Sequence, residues 1–127
     1  MKDKLYVFLF ISVMGSAINA QLPEKVSPDV YKVLLENEDV KVLEVTFKPG
    51  QSDNFHKHNV MTFYAVQGGS LQVTSPDGTI RENVFPSGRT GHSNTMTTHQ
   101  VKNIGKNTVK VILVEHKKLK PIKIVFK

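Results

Sequence analysis

Short segments in which apolar and polar residues alternate run through most of the chain. They are the segments 31–35, 40–47, 61–66, 71–74, 79–84 and 109–115. Turns rich in Gly, Pro, Asn and Asp separate them, and no stretch shows the 3.6-residue period of a long helix. The pattern predicts an all-β fold, either an antiparallel β-barrel or a double-sheet sandwich, with about six to ten strands.

The apolar strand positions define the predicted core. Its largest members are Val45, Phe47, Phe63, Val66, Leu71, Val73, Val111 and Leu113. Burying each large apolar side chain is worth about 1.5–3 kcal/mol. The chain has no cysteine, so this core must stabilise the fold without disulfides.

The first twenty residues differ in composition from the rest of the chain. Lys2 and Lys4 precede an almost wholly apolar run, 5–13, and small residues follow it up to Ala20. This layout is typical of a secretory signal peptide cleaved near Ala20. A run this short is poorly matched to a membrane span of about 20 residues. We therefore expect a periplasmic or secreted protein without a stable membrane anchor.

The remaining chain has the length of one domain. Its predicted parts are a flexible lead-in at 21–29, one domain at 30–117, and a C-terminal strand or extension at 118–127. The end of the chain is rich in lysine and also contains Leu119, Ile122, Ile124, Val125 and Phe126. In an exported protein we expect these lysines to form a solvated strand edge or extension, with no nucleic-acid partner. The apolar residues have no obvious place on a lone barrel, so they predict a homodimer.

Two histidines separated by one residue, His56 and His58, mark the candidate site. A strand places alternate side chains on one face, so both imidazoles can bind one cation. The alternative is a pair of partly solvated polar residues with no ligand. These two interpretations remain open on the histidine pair alone.

The spacing around the pair resembles the first motif of the cupin superfamily. That motif reads G, five residues, HxH, three or four residues, E, six residues, G. Gly50, His56, His58 and Gly69 match it, whereas Thr62 stands at the position of the glutamate.

The second cupin motif reads G, five residues, PxG, two residues, H, three residues, N. Gly88, His99 and Asn103 match it, and Asn94 and Met96 replace its proline and glycine. The chain is most similar to small single-domain cupins of the branch that includes beta-alanine degradation proteins.

The resemblance implies a double-stranded β-helix, a jelly-roll-like barrel in which His56, His58 and His99 converge on a divalent transition metal. Zn, Fe, Mn, Ni and Cu all accept imidazole ligands. Without the glutamate the ligand set is three neutral imidazoles with an open position, as in cupin thiol dioxygenases. The same loss of glutamate also resembles cupins that have lost their metal.

Other residues are candidates for lining the pocket or supporting the metal ligands. They are Thr62, Tyr64, His92 and Met96, with Met61 and Phe63 shaping the pocket. His92 is a possible fourth nitrogen ligand or a base. We expect Asn103 to brace the turn before Gly105, and no carboxylate is evident near the histidines, since Asp53 falls on a predicted loop.

Two classes of function follow from these residues. The first is a metal-dependent oxygenase, isomerase or lyase that acts on a small polar molecule. The second is a non-catalytic protein, either one that binds a small ligand or a structural dimer with a vestigial metal site.

Overall fold

The structure is a computed structural model, and it describes residues 21–118. This part of the chain contains one short helix and nine strands. They are α1 (Pro23–Val26), β1 (Tyr31–Glu36), β2 (Val40–Phe47), β3 (His56–His58), β4 (Met61–Gln67), β5 (Gly69–Thr74), β6 (Ile80–Phe85), β7 (Thr90–Ser93), β8 (Thr97–Asn103) and β9 (Val109–His116). The predicted signal peptide and the C-terminal residues 119–127 lie outside the described residues.

The strands form two antiparallel sheets whose inner faces enclose the core. The five-stranded sheet has the order β1-β2-β9-β4-β7, and the four-stranded sheet has the order β3-β8-β5-β6. Some neighbours are distant in sequence, because β9 lies between β2 and β4 and β8 lies between β3 and β5. The pairs β1-β2 and β5-β6 are consecutive along the chain. The prediction of an antiparallel all-β fold is confirmed.

Most of the predicted core is buried. Val45, Phe47, Val111 and Leu113 are buried, and Phe63, Leu71 and Val73 are partly buried against them. The prediction for Val66 is wrong, because this side chain is 47% exposed. Met61, Phe63 and Ala65 point inward along β4, so strict alternation turns Val66 to the outer face.

The segment 21–29, predicted to be a flexible lead-in, is instead ordered and contains α1. Its Pro23 occupies the first helical turn, where the missing N–H costs nothing, and the ring is buried. The Ser27 carbonyl accepts hydrogen bonds from the N–H groups of Val30 and Tyr31, and the Ser27 hydroxyl accepts one from Asn54 N at 2.8 Å. These bonds fix the segment against the start of β3.

Two local features bring the chain into the histidine motif. Gly50 has a φ of 78°, a left-handed conformation that glycine adopts without steric cost, and it reverses the chain after β2. The Asn103 amide donates to the carbonyls of Phe47 and Asn107, while its oxygen accepts from Gly105 N at 2.9 Å. The predicted bracing role of Asn103 is thereby confirmed.

The only helix in residues 21–118 has four residues. Within that part of the chain, therefore, no helix is long and apolar enough to cross a membrane.

Candidate metal centre

Three histidines meet on the inner face of the four-stranded sheet. His56 and His58 lie on β3, and the antiparallel register places His56 directly opposite His99 on β8. Their ligand nitrogens all lie within 4.8 Å of one another. His56 and His58 are fully buried, and His99 is partly buried beside them. The structure thus brings together the three histidines that the motif spacing singled out.

Hydrogen bonds at Nδ1 fix how two of these imidazoles present their other nitrogen. His56 Nδ1 lies 2.8 Å from the carbonyl oxygen of Asn54, and His58 Nδ1 lies 2.6 Å from Glu115 Oε1. A carbonyl and a carboxylate only accept hydrogen bonds, so each Nδ1 carries the proton. A ring that carries no second proton therefore presents a lone pair on Nε2, which can bind a metal.

The two Nε2 atoms of His56 and His58 are 2.9 Å apart. Two lone pairs at this distance repel each other unless a cation, either a metal ion or a proton, lies between them. Bonds of about 2.0–2.1 Å to one ion place two ligands about 2.9 Å apart at a right angle. The spacing of this pair therefore matches two ligands of one ion.

His99 approaches the pair from the opposite strand. Its ring centre lies 4.8 Å from that of His56 and 5.2 Å from that of His58. Ligands on opposite sides of one ion are about 4.1 Å apart. The limit of 4.8 Å between ligand nitrogens exceeds this distance, so the His99 ring would move toward the pair to complete a three-nitrogen set.

A series of buried charged side chains begins at His58 Nδ1. Glu115 on β9 accepts the His58 proton through Oε1, and its Oε2 lies 3.3 Å from the Lys41 ammonium. Lys41 on β2 in turn donates to Glu24 of α1 at 2.9 Å. Burial alone would lower the pKa of Lys41, but its bonds to the two carboxylates raise it above the usual value. Burial likewise opposes ionisation of Glu115, yet His58 and Lys41 hold its pKa below the usual range.

Asp53 and Tyr31 support His56 in a similar way. Asp53 Oδ1 accepts from Val101 N at 2.6 Å, and Oδ2 accepts from the Tyr31 hydroxyl at 2.7 Å. The same hydroxyl lies 3.2 Å from His56 Nε2. Burial and the charge of Asp53 raise the pKa of the Tyr31 phenol well above 10, so the metal-free protein keeps the phenol protonated.

Burial also sets the protonation of the site in the metal-free protein. It lowers the pKa of His56 to about 4 and that of His99 to about 3, and the charge of the neighbouring His58 acts in the same direction. Burial raises the pKa of Asp53 to about 6, against the hydrogen bonds from Val101 and Tyr31. At neutral pH His56 and His99 are therefore neutral, as metal ligands must be.

The charges behind the imidazoles do not cancel. Glu24, Glu115 and Asp53 contribute three negative charges, and Lys41 contributes one positive charge. The remaining two negative charges equal in size the charge of one divalent cation. Burying them is costly without a counter-ion, so the surroundings of the histidines favour a cation at their centre.

A cavity of about 350 Å³ opens beside the histidines. Its apolar walls come mainly from Phe47, Met61, Phe63, Leu71, Phe85 and Leu113. The polar groups on it are His58 and His99 at the histidine cluster, with Tyr31, Asn83 and Arg89. Met61 and Phe63 thus shape the pocket, as the sequence predicted.

The other predicted pocket residues lie elsewhere. Thr62, Tyr64 and His92 have outward parity on their strands, and Met96 lies between β7 and β8. The Thr62 hydroxyl lies on the outer face of the five-stranded sheet, 3.0 Å from His92 Nδ1 and 2.9 Å from His116 Nε2. Tyr64 and Met96 are 48% and 60% exposed, and neither lines the cavity. The expectation that Thr62 faces the cavity is wrong, and His92 is not brought to the three histidines.

Five supporting residues were missed from the sequence, namely Glu24, Tyr31, Lys41, Asp53 and Glu115. For two of them a signal existed. Lys41 shares strand parity with Leu43, Val45 and Phe47, and Glu115 shares it with Val111 and Leu113. Strict alternation therefore places both charges on the core face, where Lys41 and Glu115 are direct cross-strand partners.

The fold and the histidine cluster define the class of protein: the chain has the double-stranded β-helix fold of the cupin superfamily. No protein-family profile matches the sequence, and no curated protein is similar enough to count as a match. The resemblance to the beta-alanine degradation branch stays a prediction.

Solved structures provide the comparison. A cupin domain from Bordetella pertussis is 25% identical, with a TM-score of 0.63 over 69% of this chain and 92% of that one. An RmlC-like cupin family protein with a double-stranded β-helix fold from Methanocaldococcus jannaschii is 15% identical, with a TM-score of 0.55 over 91% and 92% of the two chains. A Klebsiella pneumoniae protein with a double-stranded β-helix domain is 19% identical, with a TM-score of 0.54 over 72% and 79%. The last two show the fold alone.

Proposed function

We propose that this protein binds one divalent transition metal through His56, His58 and His99 and holds a small, mainly apolar ligand beside it. The observation that carries the proposal is the pair of Nε2 lone pairs 2.9 Å apart. In each neutral ring, the hydrogen bond at Nδ1 places the lone pair on Nε2. Such an arrangement is favourable when a cation lies between the two nitrogens.

The carboxylate behind His58 supports the same interpretation. Histidine ligands of metals commonly donate their second ring N–H to a carboxylate or a backbone carbonyl, which fixes the ring and makes it a better donor. His58 has a carboxylate partner in Glu115 and His56 has a carbonyl partner in Asn54. The ion would supply Lewis-acid or redox chemistry to a molecule in the cavity.

The cavity indicates the class of ligand. Its volume of about 350 Å³ lies at the lower end of the range for small-molecule sites, about 300–1,000 Å³. Because its walls are mostly aliphatic and aromatic, we propose an apolar body with a donor group directed to the metal. This differs from the small polar molecule expected from the sequence.

A second candidate function is capture of the ligand without turnover. It is favoured by the composition of the cavity, where none of the described lining residues is Asp or Glu. An oxygenase, isomerase or lyase would then depend on the metal, the histidines and Tyr31 for every proton transfer. Metal binding is common to both candidates, so it is the property to test first.

The test is metal content and affinity in protein purified without a histidine tag. Elemental analysis should find one transition metal per chain, and calorimetric titration of the metal-free protein with Zn²⁺ should give one site. The variant His58→Ala should lose most of this binding. The matched control His92→Ala, on the outer face, should bind as the wild type does. Equal binding by both variants, or no binding by the wild type, would refute the proposal.

Ligand binding is tested by thermal shift with a set of small carboxylates and thiols that carry apolar bodies. Compounds that fit the cavity should stabilise the Zn²⁺-loaded protein and leave the metal-free protein unchanged. A set that stabilises both forms equally would show that the metal takes no part in holding the ligand.

A further inference from the structure

Tyr31 lies at the histidine cluster without having any part in the cupin motifs. It is the first residue of β1, its side chain is almost fully buried, and its ring packs edge-on against Phe47. The ring also lies against both β3 imidazoles, with centres 5.1 Å from His56 and 5.9 Å from His58. Phenylalanine would pack equally well, but it would leave the buried Asp53 without this hydrogen bond and would present no oxygen to His56.

Two acceptors near the Tyr31 hydroxyl determine where it donates its hydrogen bond. The carboxylate Asp53 Oδ2, at 2.7 Å, can only accept a hydrogen bond. His56 Nε2, at 3.2 Å, is the weaker acceptor by distance. The single phenolic proton is therefore donated to Asp53, and the oxygen keeps lone pairs for the space in front of His56.

The distances around His56 Nε2 are those of ligand atoms around one ion. Its two nearest polar neighbours are His58 Nε2 at 2.9 Å and the Tyr31 oxygen at 3.2 Å. Bonds of about 2.0–2.1 Å place ligands about 2.9 Å apart at a right angle and about 3.4 Å apart at a tetrahedral angle. Both contacts fall in this range, so each neighbour is at a distance that allows it to share an ion with His56 Nε2.

We propose that Tyr31 is a fourth protein ligand of the metal, an oxygen donor that replaces the carboxylate missing from the first motif. This inference rests on the proposed function, because it assumes an ion between the histidines. On binding a hard ion, the oxygen–metal bond forms and the phenolic O–H bond breaks. The proton passes along the existing hydrogen bond to the Asp53 carboxylate, and no electron is transferred.

A coordinated phenolate has an optical signature that imidazole and carboxylate lack. With Fe³⁺ it gives an intense visible charge-transfer band, and excitation in that band enhances tyrosinate ring vibrations in the resonance Raman spectrum. The full sequence has three tyrosines, and Tyr64 lies half exposed on the outer face. The double variant Tyr6→Phe/Tyr64→Phe therefore leaves Tyr31 as the only tyrosine.

The experiment loads the wild type, Tyr6→Phe/Tyr64→Phe and Tyr31→Phe with one equivalent of Fe³⁺ from a weak chelate. The band and the tyrosinate vibrations should appear in the first two proteins and be absent from Tyr31→Phe. Calorimetric titration with Zn²⁺ should show an affinity at least about 10-fold lower in Tyr31→Phe. Because losing an outer-shell partner also costs about 10- to 100-fold in metal affinity, the optical band identifies Tyr31 as a ligand. The double variant should bind Zn²⁺ as the wild type does.

The outcomes separate this inference from the proposed function. A wild type that binds metal without the band, together with unchanged Zn²⁺ affinity in Tyr31→Phe, overturns the role of Tyr31 and leaves the three-histidine site standing. A wild type that binds no metal overturns both. If Tyr31→Phe does not fold, the double variant decides, because a band in that protein can come only from Tyr31 and its absence refutes the assignment.

Discussion

Replacing Lys41 with methionine tests whether the buried charges behind His58 act as one network. The Lys41 ammonium lies between Glu24 at 2.9 Å and Glu115 at 3.3 Å, and its side chain is only 4% exposed. Methionine keeps the length and the apolar part of the side chain. It leaves two carboxylates buried without their shared cation, and one Glu24 oxygen already lacks a hydrogen-bond partner.

The expected cost follows from this burial. Removing one partner of a buried ion pair typically destabilises a protein by about 3–5 kcal/mol, because the remaining charge has no compensation. Domains of this size are stable by about 5–15 kcal/mol. Lys41→Met should therefore fold, with its free energy of unfolding reduced by about a third or more. At a typical urea slope of about 2 kcal/mol/M, the midpoint falls by about 2 M.

Lys110→Met is the matched control. Lys110 also lies on a strand and is 3.6 Å from a carboxylate, that of Glu44, but both side chains are about one-third exposed. Exposed pairs contribute about 0–1 kcal/mol. Urea unfolding followed by circular dichroism measures both variants, since the chain has no tryptophan. A cost for Lys41→Met within 1 kcal/mol of the control would refute the network.

A saturating concentration of Zn²⁺ adds a second comparison to the same assay. A ligand that binds only the folded state stabilises it by an amount set by its affinity. Removing the Lys41 charge leaves Glu115 uncompensated beside the metal centre, so Zn²⁺ should stabilise Lys41→Met more than it stabilises the wild type. Equal stabilisation would show that Lys41 and the metal do not interact.

Three further predictions concern stability, the motif and assembly. Between pH 7 and 5 the unfolded chain binds protons on His56 and His99 that the metal-free folded chain does not bind, whereas the folded chain binds one proton on Asp53. The unfolded chain thus binds about one proton more, so the free energy of unfolding should fall by about 1.4 kcal/mol for each unit of decreasing pH. Urea unfolding measures this change, and a flat profile would contradict it. Thr62→Glu should leave the Zn²⁺ affinity unchanged, because residue 62 points to the outer face of the five-stranded sheet. Tighter Zn²⁺ binding in calorimetry would show that this side chain faces the cavity. We also expect a homodimer in light scattering at micromolar concentration, and a monomer that is unaffected by deleting residues 119–127 would contradict it.

The strands and the histidine pair were predictable because they depend on local periodicity. Alternation placed β1 and β2, an apolar run placed β4, and the resemblance to the closing hairpin of small cupins placed β9, all close to their observed bounds. Alternation also puts His56 and His58 on one face whenever their segment is extended. These conclusions need no knowledge of which strands become neighbours.

The partners of the histidines depend on pairing between distant strands, and local periodicity does not determine that pairing. His58 meets Glu115 across 57 residues, and Asp53 meets Val101 across 48. Asp53 was assigned to a loop, where a solvated carboxylate is ordinary. Here it is buried, and its two carboxylate oxygens accept hydrogen bonds from Val101 N and the Tyr31 hydroxyl.

The position of Thr62 shows how the site differs from the cupin motif it resembles. A glutamate at this position would lie on the outer face of β4, whereas the inward neighbours Met61 and Phe63 form part of the apolar cavity. The negative charges near the histidines are instead on Asp53, which is bonded to Tyr31, and on Glu115, which is bonded to His58. On our proposal the groups in contact with the ion are three neutral imidazoles and one phenolate. A divalent ion would then keep one net positive charge toward a cavity with few polar groups, which favours a ligand whose apolar body ends in an anionic donor.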